Sequence, residues 1–161
     1  MANNCAFRIT FYDHEGISRR ERDRILDIFN GRNTKYCMMR SWGAAECCEG
    51  DPMRFTIEGD CAWSADMFRR PEDHTPWEVE NDDGTTVISV PGICRLLRID
   101  EASGWEKEQG MGVMGDFHWK QGWQGVEYTD NWPDYVREMH EEDPDDEDWA
   151  RLYRLYCEES E

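Results

Sequence analysis

Apolar and polar positions alternate in the first strand-length stretch of the chain. In "CAFRITFY" (Cys5 to Tyr12), Phe7, Ile9 and Phe11 oppose Ala6, Arg8 and Thr10, the period-two pattern of a strand with one buried face. The period then lengthens. Ser18 and Glu21 stand in the S-x-x-E spacing of a capping box, where each side chain satisfies a backbone amide at a helix start. Ile25, Leu26 and Phe29 form the apolar stripe behind it, and Gly31 is placed to end the helix. "TKYCMMRSW" (34–42) predicts a second strand and "MRFTIEGDCAWS" (53–64) a third. From Ala65 to Thr86 the chain is polar and proline-containing, which predicts a long loop. "TVISVPGICRLLRID" (86–100) predicts a short helix after Pro91 that runs into a strand, and "GMGVMGDFHW" and "WQGVEYT" around "KQG" predict a hairpin. Asn131 is placed to cap a helix beginning "WPDYVREMH", with Pro133 tolerated in its first turn. In "DWARLYRLYCEE", Trp149, Leu152, Tyr153 and Tyr156 recur at i, i+3, i+4 and i+7, one face of a last helix.

The order is therefore β-α-β-β-α-β, then a hairpin and two helices. An α+β fold follows: a ferredoxin-like antiparallel sheet with helices on one face over residues 1–130, and an acidic helical element over 131–161. The opening "MANNCAFRITFYD", the "FTIEGDCAWS" strand and the run "VISVPGICRLLRIDEASGWEKEQGMGVMGDFHWKQG" resemble the YubB-type ferredoxin-like domain of small proteins encoded by phages and plasmids. The resemblance touches roughly residues 1 to 125. It implies a fold and a mobile-element origin; "ferredoxin" refers to topology and implies no iron–sulfur cluster, and the family brings no catalytic constellation with it.

Charge changes the picture more than composition does. The 161 residues include 36 acidic and 18 basic ones, a net charge of −18, with 39% hydrophobic residues and eight tryptophans. That much bulky apolar material argues against a wholly disordered chain. The field argues against nucleic acid, anionic membranes and acidic substrates as ligands, leaving basic proteins or cations. No stretch approaches the length of a membrane span, and "MANNCAFRIT" lacks the basic and apolar regions of a signal peptide. Seven cysteines cannot all pair within the chain, which makes a reduced, cytoplasmic setting the simpler expectation.

The acids are also segregated. Glu141, Glu142, Asp143, Asp145, Asp146, Glu147 and Asp148 fill seven of eight successive positions, broken only by Pro144. Residues 141–161 hold ten acidic against two basic residues, hence −8. A second run places Glu72, Asp73, Glu78, Glu80, Asp82 and Asp83 within twelve residues that contain no lysine or arginine. Residues 19–40, by contrast, hold seven basic and three acidic residues, hence +4. Helix capping by Asp145 or Asp146 and the helix dipole account for two or three of the first seven acids.

Metal and catalytic motifs are missing. Cys47 and Cys48 are adjacent and Cys5, Cys37, Cys61, Cys94 and Cys157 are scattered, not in the C-x₂-C pairs that bite one zinc ion. His14, His74, His118 and His140 lie far apart, and "GMGVMG" has no lysine and opens no helix. "DPDDEDWARLYR" lacks the glycine and the terminal glutamate of a calcium loop. No cofactor, metal or catalytic residue is therefore expected. The expectation is a phage- or mobile-element-encoded inhibitor acting in the host cytoplasm. Its two acidic runs would imitate phosphates and occupy the basic nucleic-acid channel of a host defence protein, a CRISPR effector being one such target. A Cys/His-dependent metal or redox protein, and an interaction module without mimicry, are the alternatives.

Overall fold

The computed structural model describes residues 4–38, 41–47, 50–62, 78–108 and 112–158. In chain order these form β1 (Asn4–Tyr12), α1 (Arg19–Phe29), β2 (Tyr36–Cys37), β3 (Ser41–Cys47), β4 (Arg54–Ala62), β5 (Glu78–Glu80) and β6 (Thr86–Ile88). Then come α2 (Val90–Leu97), β7 (Glu101–Glu108), β8 (Val113–Lys120), β9 (Glu127–Asp130), α3 (Trp132–Glu142), α4 (Glu147–Tyr153) and a π-helical turn (Arg154–Glu158). The fold is α+β. Its main sheet has six strands in the order β3-β4-β1-β7-β8-β9, every neighbour antiparallel; β2, β6 and β5 form a second, three-stranded sheet. No helix among the described residues is long and apolar enough to cross a membrane.

The alternation read in β1 sets the core. Cys5, Phe7, Ile9 and Phe11 are buried on one face, opposite Cys61, Gly59, Ile57 and Phe55 of β4. Ala102, Phe117 and Trp119 extend that face across β7 and β8. Ile25, Ile28 and Phe29 of α1 and Val90, Ile93 and Cys94 of α2 join the same core, so these two helices cover this face. Each large side chain buried there is worth roughly 1.5–3 kcal/mol. The capping box at Ser18 and Glu21 is present in full, and the helix stops at Asn30, whose side-chain oxygen accepts from the Ala44 amide at 2.7 Å.

Two expectations are corrected. The strand expected over 34–42 is two elements: β2 pairs in parallel with β6, whereas Ser41 begins β3 on β4. The alternation seen there is real, with Tyr36 and Met38 buried and Cys37 half-buried, but it serves a different sheet. The loop expected over 65–86 contains β5 and then runs into β6 at Thr86, the two joined by a tight turn at Asn81–Thr85. Short polar edge strands carry too little apolar pattern to be seen in sequence. Residues 63–77 of that span lie outside the described residues.

Glycines make room for rings in the main sheet. A Cβ at Gly59 would meet the Phe7 ring at 2.7 Å, one at Gly104 the Phe117 ring at 2.7 Å, and one at Gly115 the Tyr128 hydroxyl at 2.3 Å. Aromatic side chains thus lie flat over glycines of neighbouring strands. At Gly115 this lets the Tyr128 hydroxyl donate to Glu106 at 2.6 Å, a carboxylate only 1% exposed on the helix-covered face.

The other face of the sheet carries Arg8, Thr10 and Tyr12 of β1, Arg54, Thr56 and Glu58 of β4, Ser103, Trp105 and Lys107 of β7, and Met114, Asp116 and His118 of β8. The α3–α4 unit rests against one corner of it. Met114 packs on the cluster of Trp132, Val136 and Cys157, and the Lys107 ammonium lies 4.9 Å over the Tyr135 ring. The remainder of this face has no helix on it among the described elements.

Candidate functional site

The acidic run begins as the last turn of α3, crosses a turn at Asp143–Asp145 and becomes the first turn of α4. A core of its own holds this hairpin. Trp132, Val136 and Cys157 are buried, with Tyr135, Trp149, Leu152 and Tyr153 packed around them. Tyr135 meets Trp149 edge to face at 5.8 Å, and His140 stacks on Tyr153 at 4.7 Å. All four members of the expected stripe meet this cluster: Tyr156 packs edge to face on Trp132 at 6.1 Å while staying 38% exposed, where the π-helical turn brings Cys157 fully inward.

Local helix physics explains part of the run and opposes another part. Asp146 is the N-cap, accepting from the Asp148 and Trp149 amides at 2.9 and 3.1 Å, and Glu147 and Asp148 sit at the positive end of the α4 dipole. Glu141 and Glu142 sit at the negative end of α3, where the dipole disfavours them. Among the described residues, the Glu141, Glu142, Asp143, Asp145 and Glu147 side chains make no hydrogen bond or ion pair; Asp148 pairs with Arg151 at 3.6 Å. Among the described residues, none of the seven carboxylates reaches a base of residues 19–38, so the two segregated charge clusters do not pair there.

The second run is only partly described. Glu72, Asp73 and the side chain of Glu78 lie outside the described residues. Glu80, Asp82 and Asp83 are exposed and belong to the three-stranded sheet. Asp83 accepts from the Thr85 hydroxyl at 2.6 Å and its amide at 2.9 Å, bonds that hold its carboxyl below the ordinary value. It shapes the turn. One continuous acidic surface, 141–148, is thus described, and the second run is a separate feature.

The basic segment divides by role. Arg22 donates to the carbonyls of Ile17, Asp51, Pro52 and Arg54 and lies 5.1 Å over the Phe55 ring, pinning α1 to the turn before β4. Arg32 pairs with Asp27 at 3.3 Å. Arg19, Arg20 and Arg24 have no ion pair among the described residues.

Sequence spacing gave no sign of the one group of three metal-type ligands among the described residues, Asp13, His14 and Asp100. The chain brings its members together from 86 positions apart, across the end of β1 and the start of β7. Asp13 is buried and accepts from the Asp100 and Glu15 amides at 3.1 and 3.2 Å. Asp100 accepts from the His14 amide at 2.9 Å and pairs with His14 Nδ1 at 2.6 Å. These bonds raise the His14 pKa and lower that of Asp100. The group closes a loop with its own atoms. An open groove of about 630 Å³ beside it is lined by Asp13, Glu15, Ser18, Glu21, Pro52 and Arg98, among others.

The cysteines stay apart from this group. Cys5, Cys61, Cys94 and Cys157 are buried thiols and Cys37 and Cys47 half-buried ones. Burial pushes the Cys94 thiol far above its ordinary value, which leaves it inert as a nucleophile at neutral pH. His118 faces Glu101 at 3.0 Å on the open sheet face. Comparison of the chain with protein-family models, with curated proteins and with solved structures finds no match.

Proposed function

We propose that this chain is an acidic inhibitor that docks the α3–α4 hairpin into the basic nucleic-acid channel of another protein. The observation that carries this reading is the set of carboxylates from Glu141 to Asp148, held on an ordered helical hairpin, five of them without a partner among the described residues. Ordering them costs self-repulsion, and at Glu141 and Glu142 it also opposes the helix dipole. The N-terminus of α4 offsets part of this at Asp146, Glu147 and Asp148, but no described group does so for Glu141, Glu142, Asp143 or Asp145. Carboxylates fixed in a row can stand in for backbone phosphates, which attract Lys and Arg. Inhibition would be stoichiometric and non-enzymatic.

The strand order supports the fold that the resemblance implies. Leaving aside β2, β5 and β6 of the second sheet, the order β1-α1-β3-β4-α2-β7 with spatial order β3-β4-β1-β7 matches the split β-α-β pattern expected of a ferredoxin-like fold. With that resemblance goes a phage or plasmid origin; joined to the segregated charge, such an origin points to action in the host-cell cytoplasm and to a defence nuclease, anti-CRISPR fashion, as target. The test is affinity capture from a bacterial lysate, followed by competition between the chain and DNA or RNA for the captured protein. Mutual exclusion, weakening as salt rises, is the expected result. Simultaneous binding with neither affinity changed would overturn mimicry.

One observation favours the plainer reading of a protein-interaction module. Leu155 and Tyr156, 53% and 38% exposed, sit together on the π-helical turn at the end of the same hairpin. An apolar anchor of that kind would give tight binding that salt does not weaken.

A further inference from the structure

The face of the six-stranded sheet that no described helix covers is built differently from the hairpin. Its centre is flat and short: Thr10 and Thr56 share a hydrogen bond at 2.9 Å, with Ser103 beside Thr10 on β7. Trp105 lies one row away, between Arg8 and Asp116, and is 40% exposed in mid-strand. A tryptophan in mid-strand offers a partner a large, rigid apolar surface, and tryptophan is enriched where proteins meet.

The charge on this face identifies the partner. Arg8, Arg54, Lys107 and Lys120 stand against Glu58, Asp60, Glu101, Asp116 and Glu127, four bases against five acids in a chain of −18. Several are matched in place. Arg8 pairs with Glu58 at 3.6 Å, Lys120 and His118 with Glu101 at 3.9 and 3.0 Å, and Asp116 accepts from the Asn131 amide group at 2.8 Å. A basic partner is drawn to the hairpin, not here. A second copy of the chain, repelled by the hairpin and by the molecule at large, meets little repulsion on this face alone.

We propose that two copies of this chain pack through this face, sheet on sheet about a two-fold axis, with Trp105 near the centre of the contact. Outside the corner under α3–α4, strands β3, β4, β1 and β7, about 4.8 Å apart and up to nine residues long, span on the order of 500 Å², the size of a weak, concentration-dependent contact. A standard interface takes about 800 Å² from each partner. A two-fold arrangement makes the contact self-complementary, so each Arg8 and Glu58 row meets the same row reversed.

Sedimentation velocity on the full chain tests this across a concentration series at low and high salt. The expected result is a mass rising from the 19.1 kDa of one chain toward twice that value. The rise should be larger at high salt, where screening shortens the reach of the −18 charge to a few ångströms. Trp105→Lys should weaken the association by roughly tenfold or more with an unchanged circular dichroism spectrum, and Leu155→Ala should leave it alone. Ser103→Lys repeats the reading should the tryptophan variant fold poorly. A single-chain mass under every condition would overturn the proposal. So would association that weakens with salt, which would mean the hairpin docking on Arg19, Arg20 and Arg24 of another copy. Loss of a captured foreign protein on Trp105→Lys, with self-association intact, would assign the face to that protein instead.

Discussion

On the open sheet face acids and bases stand on neighbouring strands and pair, whereas on the α3–α4 hairpin seven carboxylates crowd eight positions and five of them have no partner among the described residues. Both surfaces are exposed and both lie within a chain of −18. Net charge describes neither. The sheet face places its charges by cross-strand register, where an opposite neighbour is favourable by a few tenths of a kcal/mol up to about 1 kcal/mol. The hairpin places its charges by a run in sequence, where helix ends favour three and disfavour two. Salt should therefore act in opposite directions, weakening what binds the hairpin and strengthening what stacks on the face.

The largest effect should come from removing what holds the hairpin up. Trp132 is 4% exposed and centres a cluster separate from the main core. Trp132→Ala should cost about 3–5 kcal/mol, read by urea unfolding, and should abolish partner capture. Self-association through the sheet face should persist wherever the sheet stays folded. Loss of both together would show that the two surfaces are one cooperative unit.

Next in size is the buried acid beneath the sheet. Glu106 is 1% exposed and accepts from the Tyr128 hydroxyl at 2.6 Å. Tyr128→Phe removes that donor and should destabilise by about 1–3 kcal/mol, the cost of a buried acceptor losing a hydrogen bond. Gly115→Ala should cost at least as much, because its Cβ would meet the Tyr128 hydroxyl at 2.3 Å and the Thr129 carbonyl at 2.7 Å. Neither change touches a charge on the open face, so self-association of the folded fraction should be unaltered. A loss of association in proportion to stability would tie the face to the core.

The parts of the fold that were legible in sequence are those in which local pattern and tertiary role agree. The Ser18–Glu21 capping box, the β1 alternation, the short helix at Pro91 and the cap expected at Asp145 or Asp146 all act within a few residues of one another. Four things were not legible. The change of sheet between β2 and β3 depends on which distant strand is free to pair, and periodicity is silent on that. The turn that buries Cys157 and leaves Tyr156 at the edge of the cluster is π-helical, which no spacing rule announces. Asp13, His14 and Asp100 meet only because β1 and β7 are neighbours. The glycines of "GMGVMG" had no visible role once a phosphate loop was set aside, and Gly115 is small because the Tyr128 ring lies over it. For the candidate site, the run 141–148 was visible as composition; that it is an ordered and largely unpaired surface is a property of the fold.

A smaller effect on stability, but a large one on kinetics, is expected from neutralising Asp145, Asp146, Glu147 and Asp148 together to Asn or Gln. Asn caps a helix about as well as Asp, so stability should stay within about 0.5 kcal/mol. Association with the captured basic partner should slow by tenfold or so while dissociation changes less, because the lost charges act before contact. Stopped-flow binding at two salt concentrations measures both. An unchanged association rate would leave Leu155 and Tyr156 as the determinants.

The smallest effect concerns charges that are both exposed and paired. The hydrogen bond that His14 donates to Asp100, and then the Asp100 charge, raise the His14 pKa above the ordinary 6.5, and the bonds from the His14 amide and ring lower that of Asp100 below 3.8. A group with a raised folded value contributes stability that is complete below its unfolded value and fades as pH climbs through the folded one. A group with a lowered folded value contributes stability that is complete above its unfolded value and fades as pH falls through the folded one. The clasp should thus be strongest between 3.8 and 6.5. Above that window the uncharged ring keeps its place beside Asp100, and the bond from the His14 amide at 2.9 Å remains. His14→Gln should therefore lower the melting temperature more in mildly acidic buffer than in mildly alkaline buffer, with the difference shrinking as salt is added. Glu15, 3.8 Å from His14 Nε2, acts in the same direction, so Glu15→Gln should narrow the gap slightly. A gap equal at both pH values would mean that His14 holds the loop by shape and its amide alone, and that exposed pairing here contributes nothing beyond geometry.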